Sequence, residues 1–113
     1  MNDCLFCKII NGDVPSKKVF ENDNVYAFYD ISPQAPVHVV VVPKQHIESA
    51  NAITEDNVSA VAEVFKAIPE IAKILGLSED GYRVVNNCGH NAGQTVFHIH
   101  FHIMGGAEGG KMY

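Results

Sequence analysis

Near the end of this 113-residue chain, three histidines alternate with apolar residues. Their spacing suggests a catalytic or ligand-binding site. His98, His100 and His102 occupy every second position of VFHIHFHIM. A β-strand sends alternate side chains to the same face, whereas a helix would spread them around its axis. The sequence therefore predicts a strand with three imidazoles in a row, about 6.5 Å from one to the next. The opposite face of that strand is expected to carry Phe97, Ile99, Phe101 and Ile103.

Such a row of imidazoles can do two kinds of chemistry. All three can bind one metal ion, or one can attack phosphorus while the others orient it and hold charge. The glycine-rich loop NNCGHNAGQT precedes the row, and Gly89 and Gly93 permit a backbone on which successive amides converge on an anion. This loop favours phosphate chemistry over a metal cage and over a solvated strand face without function.

A second candidate site contains Cys4 and Cys7, with His46 further along the chain. Two thiolates and two imidazoles would complete a tetrahedral zinc site, although the spacing is not that of a zinc finger. Redox chemistry and two buried structural cysteines therefore stay open as alternatives. The total of three cysteines disfavours a disulfide framework, and Cys88 receives no role.

A carboxylate follows the aromatic stretch YAFY. Asp30 is expected where a strand meets a loop, and a carboxylate there can accept hydrogen bonds from the paired hydroxyls of a ribose. Phe28 and Ile31, on either side, are apolar residues of the kind usually found in a core.

Five strands and two helices are expected to position these groups. The long helix should start at an N-cap, Thr54, end at Gly76 and kink at Pro69. Its buried stripe is predicted to be Val58, Val61, Phe65, Ile68, Ala72 and Leu75. The other expected elements are a short helix over 4–11, a hairpin over 18–30, a buried central strand over 37–43, a strand over 82–87 and the histidine strand. This pattern predicts an α+β fold with an antiparallel sheet of about five strands and one long helix on it.

The composition narrows the possible classes of protein. With 113 residues and 47% hydrophobic content, the chain is expected to form a single domain over residues 1–113. A net charge of -5 argues against a general nucleic-acid partner, because binding along a duplex needs a basic surface. The start of the chain has no signal-peptide pattern and no apolar run reaches about 18 residues, so no membrane association and a cytoplasmic location are expected.

Together these motifs resemble the histidine triad (HIT) superfamily of nucleotide hydrolases and transferases. The similarity covers nearly the whole chain, from CLFCKIING through APVHVVVVPKQHI to AGQTVFHIHFHIMGG. The H-x-H-x-H array after AGQT is highly specific, and the ending HIMGG is similar to the branch of histidine triad nucleotide-binding proteins. The resemblance implies a HIT-like fold and the hydrolysis of purine nucleoside phosphoramidates through a covalent nucleotidyl-histidine intermediate. Neutral imidazole is a competent nucleophile near pH 7, so no metal is required at the reacting phosphorus.

The resemblance also implies roles for individual residues. His100 is the expected nucleophile, His102 contacts the phosphate and His38 supports the array, while Thr95 serves the leaving group. Cys4, Cys7, His46 and His98 match the structural zinc site of bacterial-type relatives. The expected nucleotide-binding residues are Phe6, Ile9, Phe28, Asp30, Ile31, Asn87, Gln94 and Val96, with Leu5 and Tyr29 also at the base pocket and Asp30 at the ribose.

The partners that the resemblance implies are a purine nucleotide or nucleoside phosphoramidate and a second copy of the chain. The homodimer is expected to join two five-stranded sheets into one continuous sheet of ten strands. Three alternative functions remain: a dinucleoside polyphosphate hydrolase, a nucleotide- and zinc-binding regulator without turnover, and a metallohydrolase that uses the histidines as metal ligands.

Overall fold

The computed structural model describes residues 3–107, which form a five-stranded antiparallel sheet with helices packed on it. The strand order is β1-β2-β3-β5-β4, and every neighbouring pair is antiparallel. The predicted α+β class, with a long helix and a short N-terminal helix, is confirmed. The elements in chain order are α1 (Leu5–Asn11), β1 (Lys18–Glu21), β2 (Val25–Tyr29), β3 (Val37–Pro43), α2 (Val58–Leu75), β4 (Tyr82–Val85) and β5 (Phe101–Gly105).

The central strand β3 divides the core into two layers. Val39 and Val41 face the layer under α2, whereas Val40 and Val42 face the layer under α1. Because successive side chains of a strand point to opposite faces, a continuous valine run is what a strand buried on both sides requires. The prediction of a buried central strand is therefore confirmed.

The long helix α2 differs from its prediction in start and in buried stripe. It begins at Val58, one turn after Thr54, whose hydroxyl accepts the main-chain N–H of Asp56. Phe65 is 50% exposed and Val58 47% exposed, so neither belongs to the core. The other four residues of the predicted stripe do face the core: Ile68 and Ala72 are buried, and Val61 and Leu75 pack against it. The helix runs through Pro69, and its buried residues are Ala60, Val64, Ala67, Ile68, Ile71 and Ala72.

The predicted histidine strand is shorter than expected. The β5 ladder begins at Phe101, so only His102 of the three histidines lies in it. The last pairs are Val41 with Phe101 on one side and Val85 with His102 on the other. Strand β4 ends at Val85, whereas β3 continues to Pro43 and pairs there only with β2.

The segment that carries His98 and His100 is held by other contacts. The main-chain N–H of Ile99 donates to the carbonyl of Ile47 at 2.6 Å. Alternation still holds here, because Ile99 packs in the layer under α2 while both histidines are buried on the α1 side. Phe97 is a correction: the chain bends at 96–98, and this ring is 50% exposed instead of buried with Ile99.

Two other element boundaries bear on the site. Helix α1 starts at Leu5, and Cys4 is its N-cap, with the sulfur accepting the N–H of Cys7 at 3.3 Å. Strand β4 ends at Val85, two residues earlier than predicted. Neither helix among residues 3–107 is long and apolar enough to span a membrane.

Candidate active site and metal centre

Three imidazoles gather on the face of the sheet that α1 covers. His38 comes from β3 and His102 from β5, and their ring centroids are 5.0 Å apart. His100 follows at 5.2 Å from His102, and the edge of Phe6 in α1 lies 5.0 Å from the His100 ring. The sheet register brings His38 and His102 together, because Val40 pairs with His102 and His38 lies two residues before it.

A chain of hydrogen bonds fixes the tautomers of His38 and His102. The main-chain N–H of Gln34 donates to Nδ1 of His38 at 3.0 Å. In neutral His38 the proton is then on Nε2, which lies 2.8 Å from Nδ1 of His102 and donates to it. In neutral His102 the remaining proton is therefore on Nε2. Each of the two rings consequently has one defined donor direction.

A hydrogen bond to a main-chain carbonyl fixes the tautomer of His100. Its Nδ1 lies 2.8 Å from the carbonyl oxygen of His98, and a carbonyl only accepts, so Nδ1 carries the proton. The opposite nitrogen, Nε2, then has a lone pair and no proton in the neutral ring. The side-chain amide of Asn86 donates to the His100 carbonyl at 2.8 Å and replaces the missing strand neighbour. In neutral His100, Nε2 is therefore the atom that could attack a substrate.

Burial keeps the imidazoles neutral. The pKa of His102 is lowered to about 4, first by desolvation and then by the neighbouring rings of His100 and His38, whereas Asp30 acts in the opposite direction. Desolvation also lowers the pKa of His100 and that of His38, while Asp30 raises both. Neutral imidazoles at neutral pH are what a nitrogen nucleophile and a donor chain require.

The second candidate site is assembled by α1 and two distant histidines. Cys4 Sγ lies 3.4 Å from Nδ1 of His98, and Cys7 Sγ lies 3.6 Å from Nδ1 of both His98 and His46. The four ligand atoms all lie within 4.8 Å of one another. A tetrahedral zinc ion with ordinary Zn–S and Zn–N bonds would separate sulfur and nitrogen by about 3.6 Å. The four residues could therefore hold a metal of this kind with little movement.

The outer contacts of the cluster also suit a metal. Nε2 of His98 donates to the carbonyl of Pro43 at 2.8 Å, which leaves Nδ1 as the lone pair directed at the cysteines. Without a cation, desolvation and then the neighbouring Cys4 raise the pKa of the Cys7 thiol to about 11. A bound cation removes this penalty because it stabilises both thiolates.

A third group of possible ligands, Asp30, His38 and His102, does not fit a metal. His38 uses the Nδ1 lone pair to accept the Gln34 amide, so Nε2 carries a proton and has no lone pair for an ion. The separation of 2.8 Å between the two rings is that of a hydrogen bond. This contact agrees with the preference for phosphate chemistry over a metal cage.

A cleft of about 670 Å³ beside α1 contains the expected base and ribose residues. Its walls are mainly apolar, and Ile31 at its rim is 98% exposed. Asp30 lies at the end of β2, where its Oδ1 accepts the main-chain N–H of Ser32 at 2.7 Å. These residues therefore lie around one cavity. The predicted residues that line it are Leu5, Phe6, Ile9, Phe28, Tyr29, Asp30 and Ile31.

The loop before the histidines is held together by its own polar groups. Gly89 and Gly93 have φ of 88° and 86°, the left-handed region that the sequence predicts for them. The Gln94 side chain accepts from Gly89 N–H and donates to the carbonyls of Glu48 and Val96. The N–H of Gly93 donates to His90 O. These amides are used inside the protein, so the loop is not the converging anion nest that was expected.

Thr95 and Val96, which follow the loop, differ from it in their main-chain amides. Within residues 3–107, no partner is seen for the main-chain N–H of Thr95 or Val96. Both residues line a second cleft, of about 690 Å³, together with the half-exposed Phe97 and with Cys7 of the metal cluster.

The sequence predicted a site role for Asn87, which is half-buried in the loop. The contact to His100 is made instead by its neighbour Asn86, which was not predicted.

Comparison with known proteins gives one consistent result. A family model described as HIT domain matches residues 11–109. The purine nucleoside phosphoramidase of Escherichia coli is 39% identical over 110 residues, covering 97% of this chain and 92% of that protein. A HIT-like protein of Helicobacter pylori is 45% identical over 102 residues, covering 90% of this chain and 95% of the relative. The solved structure of a HIT family hydrolase from Clostridium thermocellum superposes with a TM-score of 0.95 at 45% identity, covering 99% of this chain and 97% of that one.

Proposed function

The chain belongs to the HIT domain family, and on that premise we propose that this hydrolase cleaves the phosphorus–nitrogen bond of purine nucleoside phosphoramidates. The observation that carries the proposal is the protonation pattern of the histidines. Nε2 of His100 is unprotonated and free to attack, because its Nδ1 proton is held by the His98 carbonyl. His102 stands next to it with an N–H to donate.

The proposed reaction has two steps. In the first, Nε2 of His100 forms a bond to phosphorus, the phosphorus–nitrogen bond of the substrate breaks, and the amine leaves with a proton taken from solvent. In the second, water attacks the nucleotidyl-histidine and loses its protons to solvent, the bond between phosphorus and His100 breaks, and the nucleotide is released with a new phosphorus–oxygen bond. His102 donates to a non-bridging oxygen, and the Thr95 hydroxyl interacts with the leaving amine.

The phosphate and nucleoside positions follow from the same contacts. We assign the main-chain amides of Thr95 and Val96 to the developing negative charge, since preorganised amides stabilise it effectively. Gln94 is assigned to holding the loop, because both of its side-chain N–H groups are already donated to carbonyls. The base would lie between Phe6 and Ile31 in the apolar cleft, with the ribose at Asp30.

The metal cluster is proposed to bind one structural zinc ion. Cys4, Cys7, His46 and His98 would be its ligands, and the support is the match between their spacing and a tetrahedral site. A zinc ion there would tie α1, which lines the nucleoside cleft, to the segment that carries the nucleophile. This zinc supplies binding energy to the folded state and takes no part at phosphorus.

The homodimer is also a proposal, and an exposed apolar surface supports it. Val58 and Phe65 of α2 are about half exposed, and Val84 of β4 is 38% exposed. In the described part of the chain, β4 is an edge of the sheet and pairs only with β5. Exposed apolar patches beside an unpaired edge mark interaction sites. Pairing of β4 with its copy would join the two sheets and cover these side chains.

A cytoplasmic location remains a prediction.

The test is a quenched reaction followed by mass spectrometry. Incubation with adenosine and guanosine phosphoramidates should place one nucleotidyl group on His100. His100→Ala should lose the adduct and turnover but still bind nucleotide, whereas His90→Ala, a change at an exposed loop histidine, should keep both. An adduct only on another residue would refute the assignment.

The same assay separates the alternatives. Faster turnover of dinucleoside polyphosphates than of any phosphoramidate would indicate the sister activity. Binding without turnover of either class would indicate a regulator. Loss of bound metal in His100→Ala would indicate a metallohydrolase.

A further inference from the structure

We propose that Asp30 has a second role, which rests on the proposed function: its carboxylate is the charged partner that positions and stabilises the His38–His102 pair while His100 attacks phosphorus. The expected ribose contact uses Asp30 as an acceptor at one end of the cleft. The second role uses the same carboxylate as part of the array of imidazoles. Asp30 is a positioning residue in this role, because it acts on phosphorus only through the two rings.

The orientation of the carboxylate supports this role. Its two oxygens have different partners, since Oδ1 accepts the Ser32 main-chain N–H at 2.7 Å. This bond directs Oδ2 towards the histidines, where it lies 3.4 Å from Nε2 of His38 and 4.0 Å from Nδ1 of His102. Oδ2 therefore lies beside the two nitrogens that share the central hydrogen bond at 2.8 Å.

The surroundings of the pair give that carboxylate a large effect. The side chains of His38 and His102 are 3% and 17% exposed, so positive charge on either ring is costly. Asp30 is the negative group that favours such charge on both. The His100 ring, 5.2 Å from His102, also faces the pair and disfavours the charge. Arg83 of β4 lies on the same face of the sheet as His38, because both residues pair with Met104 of β5, one from each side.

The reaction itself increases the need for this partner. When His100 attacks, negative charge grows on the non-bridging oxygens, and the Nε2–H of His102 is drawn towards them. The His38–His102 pair then becomes more positive, and a fixed carboxylate next to the shared hydrogen bond stabilises that charge. A carboxylate has two oxygens and about four acceptor positions, so it can face the imidazoles and accept a ribose hydroxyl together.

A substrate without ribose hydroxyls separates the two roles. We would measure single-turnover rates of wild type and Asp30→Asn with an adenosine phosphoramidate and with its 2′,3′-dideoxy analogue. If Asp30 acts only on the ribose, the variant and wild type should react equally fast with the analogue. The second role predicts that Asp30→Asn still slows the chemical step of the analogue by about tenfold, below the loss for an oxyanion-hole donor because Asp30 acts indirectly. Asp23→Asn, the same charge change at an exposed turn residue, is the matched control and should leave both rates unchanged.

A measurement without substrate tests the same contact independently. Imidazole nitrogen NMR of the full chain should show lower pKa values for both His38 and His102 in Asp30→Asn than in wild type and Asp23→Asn. Unchanged pKa values, or equal rates with the dideoxy analogue, would overturn the inference. A wild type that does not cleave phosphoramidates would instead refute the proposed function, and the NMR titration would still decide whether Asp30 acts on the pair.

Discussion

Removal of the metal should destabilise the fold before it affects the chemistry. The perturbation is dialysis against a strong chelator, compared with protein loaded with one zinc per chain. The four ligand atoms are already arranged for a tetrahedral ion, with sulfur–nitrogen separations of 3.4–3.6 Å against the expected value of about 3.6 Å. Binding therefore requires little rearrangement, and its free energy contributes almost entirely to the folded state.

The size of the effect follows from linkage. A ligand that binds only the folded chain at about 1,000 times its dissociation constant adds about 4 kcal/mol to the free energy of unfolding. For a domain of about this length, 1 kcal/mol changes the melting temperature by roughly 4 °C, so chelation should lower it by about 15 °C. The metal-free protein that is still folded at low temperature should keep most of its turnover, because no reacting atom contacts the metal.

Calorimetry, metal analysis and turnover on the same samples would check this reasoning. Cys7→Ser should lose the zinc and melt like chelated wild type, while Cys88→Ser provides the matched control, since Cys88 is outside the cluster. Metal-free protein with unchanged melting, or Cys7→Ser with a full zinc ion per chain, would refute the reasoning. Turnover that falls in direct proportion to zinc while the protein is folded would show that the metal acts in the chemistry.

Three further predictions concern the leaving group, acid stability and assembly. Thr95→Val should slow single turnover by about 10-fold to 1000-fold for a basic alkylamine leaving group and little for an activated one, and equal slowing of both would assign Thr95 to the phosphate or the fold. His102, with its pKa held near 4 by burial, binds fewer protons folded than unfolded, so its contribution to stability is present above about pH 6.5 and lost as the pH falls towards 4. Melting curves of His102→Gln should therefore depend less on pH over that range than those of wild type, and parallel curves would contradict this. Phe65→Asp should give a monomer by light scattering while Glu70→Lys, a control at an exposed position of the same helix, stays a dimer; a dimeric Phe65→Asp would place the interface elsewhere.

The sequence patterns located the chemistry better than they located the boundaries. Alternation placed His98, His100 and His102 on one face even though two of them precede the β5 ladder, because the chain keeps that alternation without strand partners. It failed at Phe97, where the chain bends, because nothing in the local pattern shows where pairing with the neighbouring strands stops. The stripe of α2 was right at Ile68 and Ala72 but failed at Val58 and Phe65, because apolar residues of this helix extend beyond its buried face.

Several contacts that define the site could not be read from residue types. The amide of Gln34 fixes the His38 tautomer, and the carbonyl of His98 fixes that of His100, yet every residue other than proline offers these main-chain groups. Their effect depends on where the fold places them. The link between Cys7 and His46 was easier to predict, because cysteine and histidine are the usual ligands of zinc.

The hydrogen-bond chain through His38 begins at a main-chain amide, and this origin has a consequence for how the protein can vary. An amide N–H can only donate. When both rings are neutral, it therefore sets the direction of the bond from His38 to His102 and leaves the last proton on Nε2 of His102, whatever the side chain of residue 34 is. Residue 34 can therefore change its side chain without reversing the donor direction of His38 or His102, and only proline would remove the amide. The loop between β2 and β3 is thus free to vary its side chains at this position while the donor directions of the two imidazoles stay the same.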